Sequence, residues 1–268
     1  MRFAIDLPNF GDLADPGTVV ELAVATEAAG WDGFFLWDHI VVAEGLPVGD
    51  AWVMLAAVAE ATERVVIGPM VTPVPRRRPW VLARQATTLH QLSRGRLVLG
   101  VGLGYPPDVE FGTFGEPEAD RERAALLDEG LDVLHGMWSG EPFGYQGAHH
   151  SVRRTLFAPG PEHIPIWVAG MWPNRRPFRR AARYDGVYPI AADMHMLSPA
   201  EVAQVVDYVG AHRTATTPYD VIVGGPMPST DEAAAYEAAG VTWYQVGPDP
   251  AGEGVAAIRE MVAGGPPR

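Results

Sequence analysis

Short apolar runs without regular in-and-out alternation are separated along the whole chain by segments of helical periodicity. Arg2–Leu7, Gly33–Trp37, Val65–Thr72 and Leu97–Val101 read as strands, followed in turn by helices over Thr18–Ala29, Ala51–Ala61, Trp80–Leu92 and Arg121–Trp138. The second half repeats the scheme, with strands at Ile166–Ala169, Gly186–Ile190, Val221–Val223 and Thr242–Val246. Their helices are Arg176–Arg183, Ala200–His212, Asp231–Ala239 and Gly254–Val262. Strands with no polar face belong to a parallel sheet covered by helices. Eight strand–helix units predict an α/β chain closed into a single (β/α)8 TIM barrel over 1–268, with an open doubly wound sheet as the alternative. The longest stretch without a pattern, Pro142–Pro165, contains His149, His150, Arg153, Arg154 and Phe157 and reads as a strap, a lid or a plain surface loop.

The 268 residues, 47% of them hydrophobic, supply enough apolar surface for one large core. No stretch approaches the roughly 18 apolar residues of a membrane span, and the first residues carry no signal-peptide run, so a cytosolic protein with no membrane partner is expected. Two absences remove more chemistry than any motif adds. There is no cysteine, hence no disulfide, thiolate nucleophile or thiolate metal site. All 20 basic residues are arginine, which excludes Schiff-base mechanisms and the lysine of a phosphate-binding P-loop. A net charge of −13 opposes nucleic-acid binding, while the arginine clusters at 76–78, 153–154, 175–176 and 179–180 are either local anion sites or solvated helix faces.

In a barrel of this kind the chemistry sits where strands end. That rule selects Asn9 and Phe10; Trp37, Asp38 and His39; Thr72 and Pro73; and Gly102, Leu103, Gly104 and Tyr105. From the second half it selects Ala169, Gly170, Met171 and Trp172, then Ala191 to His195, Gly224, Gly225 and Gly247. The glycines at 100, 102 and 104 are not a dinucleotide fingerprint, because Tyr105 and two prolines stand where a third glycine and a helix should begin. Ala169 to Trp172, just before a helix start, would offer backbone N–H groups to a phosphate, with Arg175 or Arg176 adding bidentate contacts. His39, beside Asp38, is the titratable residue best placed to exchange a proton near neutral pH, against the reading of a structural histidine bonded to backbone. No metal is expected: His149–His150 and Asp193 with His195 are the only hints, and the first strand lacks paired histidines. No G-x-S-x-G elbow is present.

Taken in order, several motifs resemble the luciferase-like monooxygenase family of flavin- and coenzyme F420-dependent oxidoreductases. They are GFFLWDH at 33–39, GPMVTP at 68–73, RPWVLARQATTL at 78–89, SRGRLVLGVG at 93–102, Arg121 with Arg123, Leu131 with Leu134 and Trp138, IPIWVAG at 164–170 and ARYDG at 182–186. The resemblance implies a luciferase-like barrel with a redox ring stacked over its mouth. It implies that Asp38 contacts the ring, that His39 shuttles a proton, and that Thr72, Leu103 and Gly104 are cofactor contacts. Ala169 and Gly170 match a phosphate loop, and a bulge with a non-proline cis peptide is expected near Met70–Val71. Tyr105 stands where the sugar-phosphate dehydrogenases of the family have a glutamate, and the expected insertion is short. Asp38–His39 favours coenzyme F420, with FMN as the alternative. The expected activity is hydride transfer to or from a small organic substrate; the alternatives are an FMN-dependent monooxygenase and a flavin-binding protein without turnover. By the same analogy a homodimer would pair through the second and third helices, with Trp52 and Trp80 either at that surface or in the core.

Overall fold

A computed structural model describes residues 1–161, 163–248 and 254–267. Its strands are β1 (Arg2–Leu7), β2 (Gly33–Leu36), β3 (Val66–Pro69), β4 (Thr72–Pro73), β5 (Leu99–Gly102), β6 (Phe143–Gln146), β7 (Ser151–Thr155), β8 (Ile166–Trp172), β9 (Gly186–Ala191), β10 (Asp220–Gly225) and β11 (Trp243–Val246). The helices are α1 (Pro16–Ala28), α2 (Ala51–Ala61), α3 (Pro79–Leu92), α4 (Pro107–Glu110), α5 (Asp120–Trp138), α6 (Arg175–Ala181), α7 (Pro199–Gly210), α8 (Thr230–Ala238) and α9 (Val255–Ala263).

The main sheet runs in the order β3-β2-β1-β11-β10-β9-β8-β5-β4, so the first and last strands are neighbours. A parallel bridge between Ile67 and Leu97 joins the two ends, and the Val98 N–H donates to the Ile67 carbonyl at 2.9 Å. The sheet is thereby closed into the expected eight-staved barrel, in which β3 and β4 are two halves of one stave. The expected run Val65–Thr72 is broken at a cis Met70–Val71 peptide, where the resemblance placed it. Before the break β3 pairs with β2; after it, Thr72 and Pro73 pair with Val101 and Gly102 of β5.

Strand parity divides the apolar residues into two cores. Ala4, Phe35, Met70, Val98, Trp167, Ile222 and Trp243 fill the barrel, with the rings of Phe35 and Trp243 each near that of Trp167. Phe3, Ile5, Leu7, Leu36, Val101, Val168, Tyr244 and Val246 face the helices. The helical layer is fixed at its starts. Asp15 and Asp50 cap α1 and α2, while Ser198–Glu201 and Ser229–Glu232 form reciprocal capping boxes on α7 and α8.

Several bounds differ from those the sequence predicts, for identifiable reasons. Helices α1, α3 and α7 begin one or two residues early, at Pro16, Pro79 and Pro199, because the ring presets the dihedral of a first helical position that needs no N–H. Strand β8 continues through Gly170, Met171 and Trp172, since these residues pair with Pro189, Ile190 and Ala191 of β9. The first part of the stretch 142–165 is not irregular: β6 and β7 form an antiparallel hairpin. Glu129 of α5 holds its tip by accepting the N–H groups of Ala148, His149 and His150 at 2.7–2.9 Å, and His150 packs edge-on against Trp80.

Candidate active site

The parity that sends Phe35 into the barrel sends Asp38 out of it. The Asp38 carboxylate, with its side chain 3% exposed, points toward α2 and the start of α3. There it accepts hydrogen bonds from Thr72 Oγ1 at 2.9 Å, Trp52 Nε1 at 3.2 Å and Arg77 at 2.6 and 2.8 Å, and it also pairs with Arg76. The side chain expected to touch a ring is thus enclosed by protein partners, with both carboxylate oxygens engaged. The Thr72 side chain, likewise expected at the cofactor, is buried, donating to Asp38 and accepting from Trp52 Nε1 at 3.1 Å. Trp52 belongs to this buried network rather than to an outer surface.

His39 lies on the open side. Its side chain is 21% exposed and packs edge-on against Phe10 and near the indole of Trp37. Asn9 fixes the backbone here, accepting the His39 N–H and donating to its carbonyl at 2.8 Å. Nδ1 of His39 is 2.8 Å from Oε1 of Glu110, a residue sequence reasoning did not select. Glu110 is buried at the end of α4, also accepts the Ile40 N–H, and forms an ion pair with Arg76. Burial lowers the Arg76 pKa, while the neighbouring carboxylates of Asp38 and Glu110 oppose that shift. A chain of contacts thus runs from Asp38 through Arg76 and Glu110 to His39. Of the arginine cluster at 76–78, open between an anion site and a solvated helix face, Arg76 and Arg77 serve this buried network.

The opposite rim is backbone and apolar surface. Val71 packs toward the inner core, and Leu103 and Gly104 follow β5 with their carbonyls held by the buried Arg123 at 3.1 and 2.6 Å. Gly104 has φ +86°, and a Cβ there would lie 2.7 Å from Phe111 and 2.9 Å from Pro73, so only glycine suits the turn. Ala169 and Met171 share the inward parity of Trp167. Gly170 and Trp172 face the helices instead: a Cβ on Gly170 would overlap Pro177, and the Trp172 indole packs on Phe178. Arg175 stacks over Trp172 at 3.9 Å and Tyr208 at 4.7 Å. At Gly170 and Trp172 it is therefore backbone, not side chain, that a ligand at the mouth would meet. Val71, Leu103, Gly104, Ala169, Gly170 and Met171 are all partly exposed, forming an uncharged ledge that suits the face of a planar ring. Among the described residues no group of three or more His, Asp or Glu side chains is arranged to hold a metal ion, and no helix is long and apolar enough to cross a membrane.

A closed parallel barrel with a broken third stave and a histidine at the carboxyl ends of its strands defines a barrel enzyme scaffold built to take a ligand at that face. The chain belongs to the luciferase-like monooxygenase family, whose profile matches residues 1–264. It is 34% identical over 162 residues to the F420-dependent glucose-6-phosphate dehydrogenase of Microbacterium testaceum, covering 59% of this chain and 48% of that protein. The protein of that name from Mycolicibacterium fortuitum is 35% identical over 165 residues, with the same coverage. The chain thus spans about half the length of the curated relatives it matches. Among solved structures, an F420-dependent secondary alcohol dehydrogenase in complex with an F420-acetone adduct superposes with a TM-score of 0.79 at 16% identity, covering 98% of both chains. The F420-dependent tetrahydromethanopterin reductase of Methanopyrus kandleri gives 0.74 at 17% identity, covering 98% of this chain and 97% of that one.

Proposed function

We propose that this protein is an oxidoreductase that binds coenzyme F420 at the barrel mouth and exchanges a hydride with a small organic substrate, with His39 handling the accompanying proton. The observation that carries the reading is the His39–Glu110 contact: a partly exposed imidazole at the mouth, oriented through Nδ1 by a buried carboxylate. A histidine held in this way presents Nε2 to a ligand and keeps one orientation through a catalytic cycle. The ledge from Val71 to Met171 fits a flat ring, and the F420-dependent relatives support the deazaflavin over FMN.

When bound, such a cofactor supplies or accepts the hydride at substrate carbon, two electrons moving with it. The chain's own residues do the rest. Met70 and Val71 back the ring, Leu103 and Gly104 border it, and the backbone of Ala169 to Trp172 with Arg175 faces the cofactor's anionic tail. Glu110 orients His39, and His39 gives a proton to, or takes one from, the substrate heteroatom. Asp38 keeps Arg76, Arg77 and Thr72 in register behind them. Replacing His39 by alanine tests this role: cofactor affinity should persist while turnover falls. We also read the outer faces of α2 and α3, where Val53 and Val81 are exposed, as the seam of a homodimer.

A further inference from the structure

We propose that Asp6, Gln245 and Tyr188 form an uncharged polar socket on the β9–β10–β11–β1 side of the barrel, which takes the hydroxyl or carbonyl oxygen of a neutral, largely apolar substrate. The inference rests on the assignment of the mouth to a hydride-exchanging cofactor, since that cofactor's ledge lies on the other side, along β4, β5 and β8.

Three inward positions meet here. Asp6 shares the parity of Ala4, and Gln245 that of Trp243, both of them in the inner core. Gln245 is the register partner of Ala4 on one side and of Gly224 on the other. Gly224 is where the Tyr188 hydroxyl reaches β10, because a Cβ on that glycine would overlap the phenol oxygen. Trp37 Nε1 donates to Asp6 Oδ2 at 3.0 Å, which ties the cluster to the indole beside His39.

The socket has hydrogen-bonding capacity that the protein does not use. Among the described residues, Asp6 Oδ1 and both amide atoms of Gln245 are buried without a partner, Asp6 being 5% and Gln245 0% exposed. Buried polar atoms are costly unless something pairs with them, and two such inward side chains on adjacent strands mark a place built for a polar atom. Burial pushes the Asp6 carboxyl up to about 8, against the weaker pull of the Trp37 hydrogen bond. At neutral pH it is therefore mostly protonated, and can donate as well as accept. Burial, with Asp6 nearby, also raises the Tyr188 phenol, which stays neutral. Such a set matches an alcohol or carbonyl oxygen and offers nothing to a phosphate.

The surroundings point the same way. The segments after β1, β2, β9 and β10 (8–15, 37–50, 192–198 and 226–229) contain no arginine, and the chain has no lysine, so no fixed cation stands on this side for a phosphate dianion. The lip also carries apolar surface: Met194, Met196 and Met227 are exposed beside the Asp193–His195 pair, and Met196 reaches over Gly225 at the end of β10. Flexible thioethers adapt to apolar bodies of varied shape. A phosphorylated sugar, the substrate named for the curated relatives, finds no partner here.

The experiment uses full-length protein with coenzyme F420, and has two readouts. Fluorescence quenching measures cofactor binding. Calorimetry with cyclohexanol on the F420-loaded protein, and steady-state assays with cyclohexanol and glucose 6-phosphate, measure the socket. Cyclohexanol should bind and turn over, and glucose 6-phosphate should do neither. Asp6→Leu and Gln245→Leu should each weaken cyclohexanol binding and raise its KM by roughly tenfold or more, as expected when a buried hydrogen bond to the ligand is lost. Cofactor affinity should be unchanged, and Asp6→Asn, which keeps a donor and an acceptor, should stay near wild type. If Asp6→Leu does not fold, Gln245→Leu carries the same expectation. A preference for glucose 6-phosphate, or unaltered cyclohexanol binding in a leucine variant that still binds F420, overturns the socket. Failure of the wild type to bind F420 overturns the reading beneath it and the socket with it.

Discussion

His39, just past β2, and Glu110, at the end of α4, meet at 2.8 Å, the imidazole partly open to the mouth and the carboxylate buried behind it. Glu110 in turn pairs with Arg76, so the orientation of the proposed proton carrier is anchored in the buried Asp38–Arg76 network. Removing the carboxylate should leave the ledge intact. Glu110→Gln is expected to lower kcat about tenfold with little change in F420 affinity, and His39→Ala to lower it ~10²-fold or more, the usual range for a lost general acid–base. Equal loss of cofactor binding and turnover in both variants would assign the pair to structure alone.

Asp38 should behave differently. Its carboxylate is the shared partner of Arg76, Arg77, Trp52 and Thr72 in a buried setting. Asp38→Asn would leave arginine charge poorly compensated, at a cost of about 3–5 kcal/mol. Urea denaturation should show that loss without cofactor present. An Asp38→Asn protein of wild-type stability that fails only to bind F420 would assign Asp38 a direct contact with the cofactor instead.

Asp6 gives stability a pH dependence of definite sign. Its carboxyl is raised from an ordinary 3.8 to about 8 in the fold, mainly by burial and despite the Trp37 hydrogen bond. Between those values the folded protein holds a proton that the unfolded chain releases. The contribution is therefore fully present below about pH 4 and is lost progressively as pH rises through about 8. Asp6→Asn removes this dependence, so the Tm difference, variant minus wild type, should grow in the variant's favour from about pH 5 to about pH 8. A difference that does not vary with pH would contradict the assignment.

Gly104 and Gly45 both have positive φ, but only Gly104 is crowded. Gly45→Ala should cost the left-handed backbone penalty alone, about 1–2 kcal/mol. Gly104→Ala should cost more than that and also weaken F420 binding, because Phe111 and Pro73 must shift beneath the ledge. Equal melting temperatures for the two variants would remove the packing argument.

Much of this was legible in the chain, for physical reasons. Strands apolar on both faces announce a parallel sheet, and the apolar run Ala51–Ala61 locates α2 to the residue. The same doubly apolar strands conceal which way a residue at their ends points. Phe35 and Leu36 are equally apolar although one faces the barrel and the other the helices, so nothing in the sequence shows that Asp38 turns outward. Glu110 was missed because it lies in a one-turn helix behind two prolines, where no periodicity or motif marks it. The inward Asp6 carries a fainter signal, a lone acid in an apolar strand one residue before its end, where the strand-end rule does not reach.

The central claim is that a deazaflavin ring rests on the ledge from Val71 to Met171, next to His39. Titrating the purified protein with coenzyme F420 and, separately, with FMN, and following each ring's absorbance, tests it most directly. Saturable F420 binding, retained in His39→Ala and stronger than any FMN response, is the predicted result. Tight binding of FMN alone, or no response to either, would contradict it.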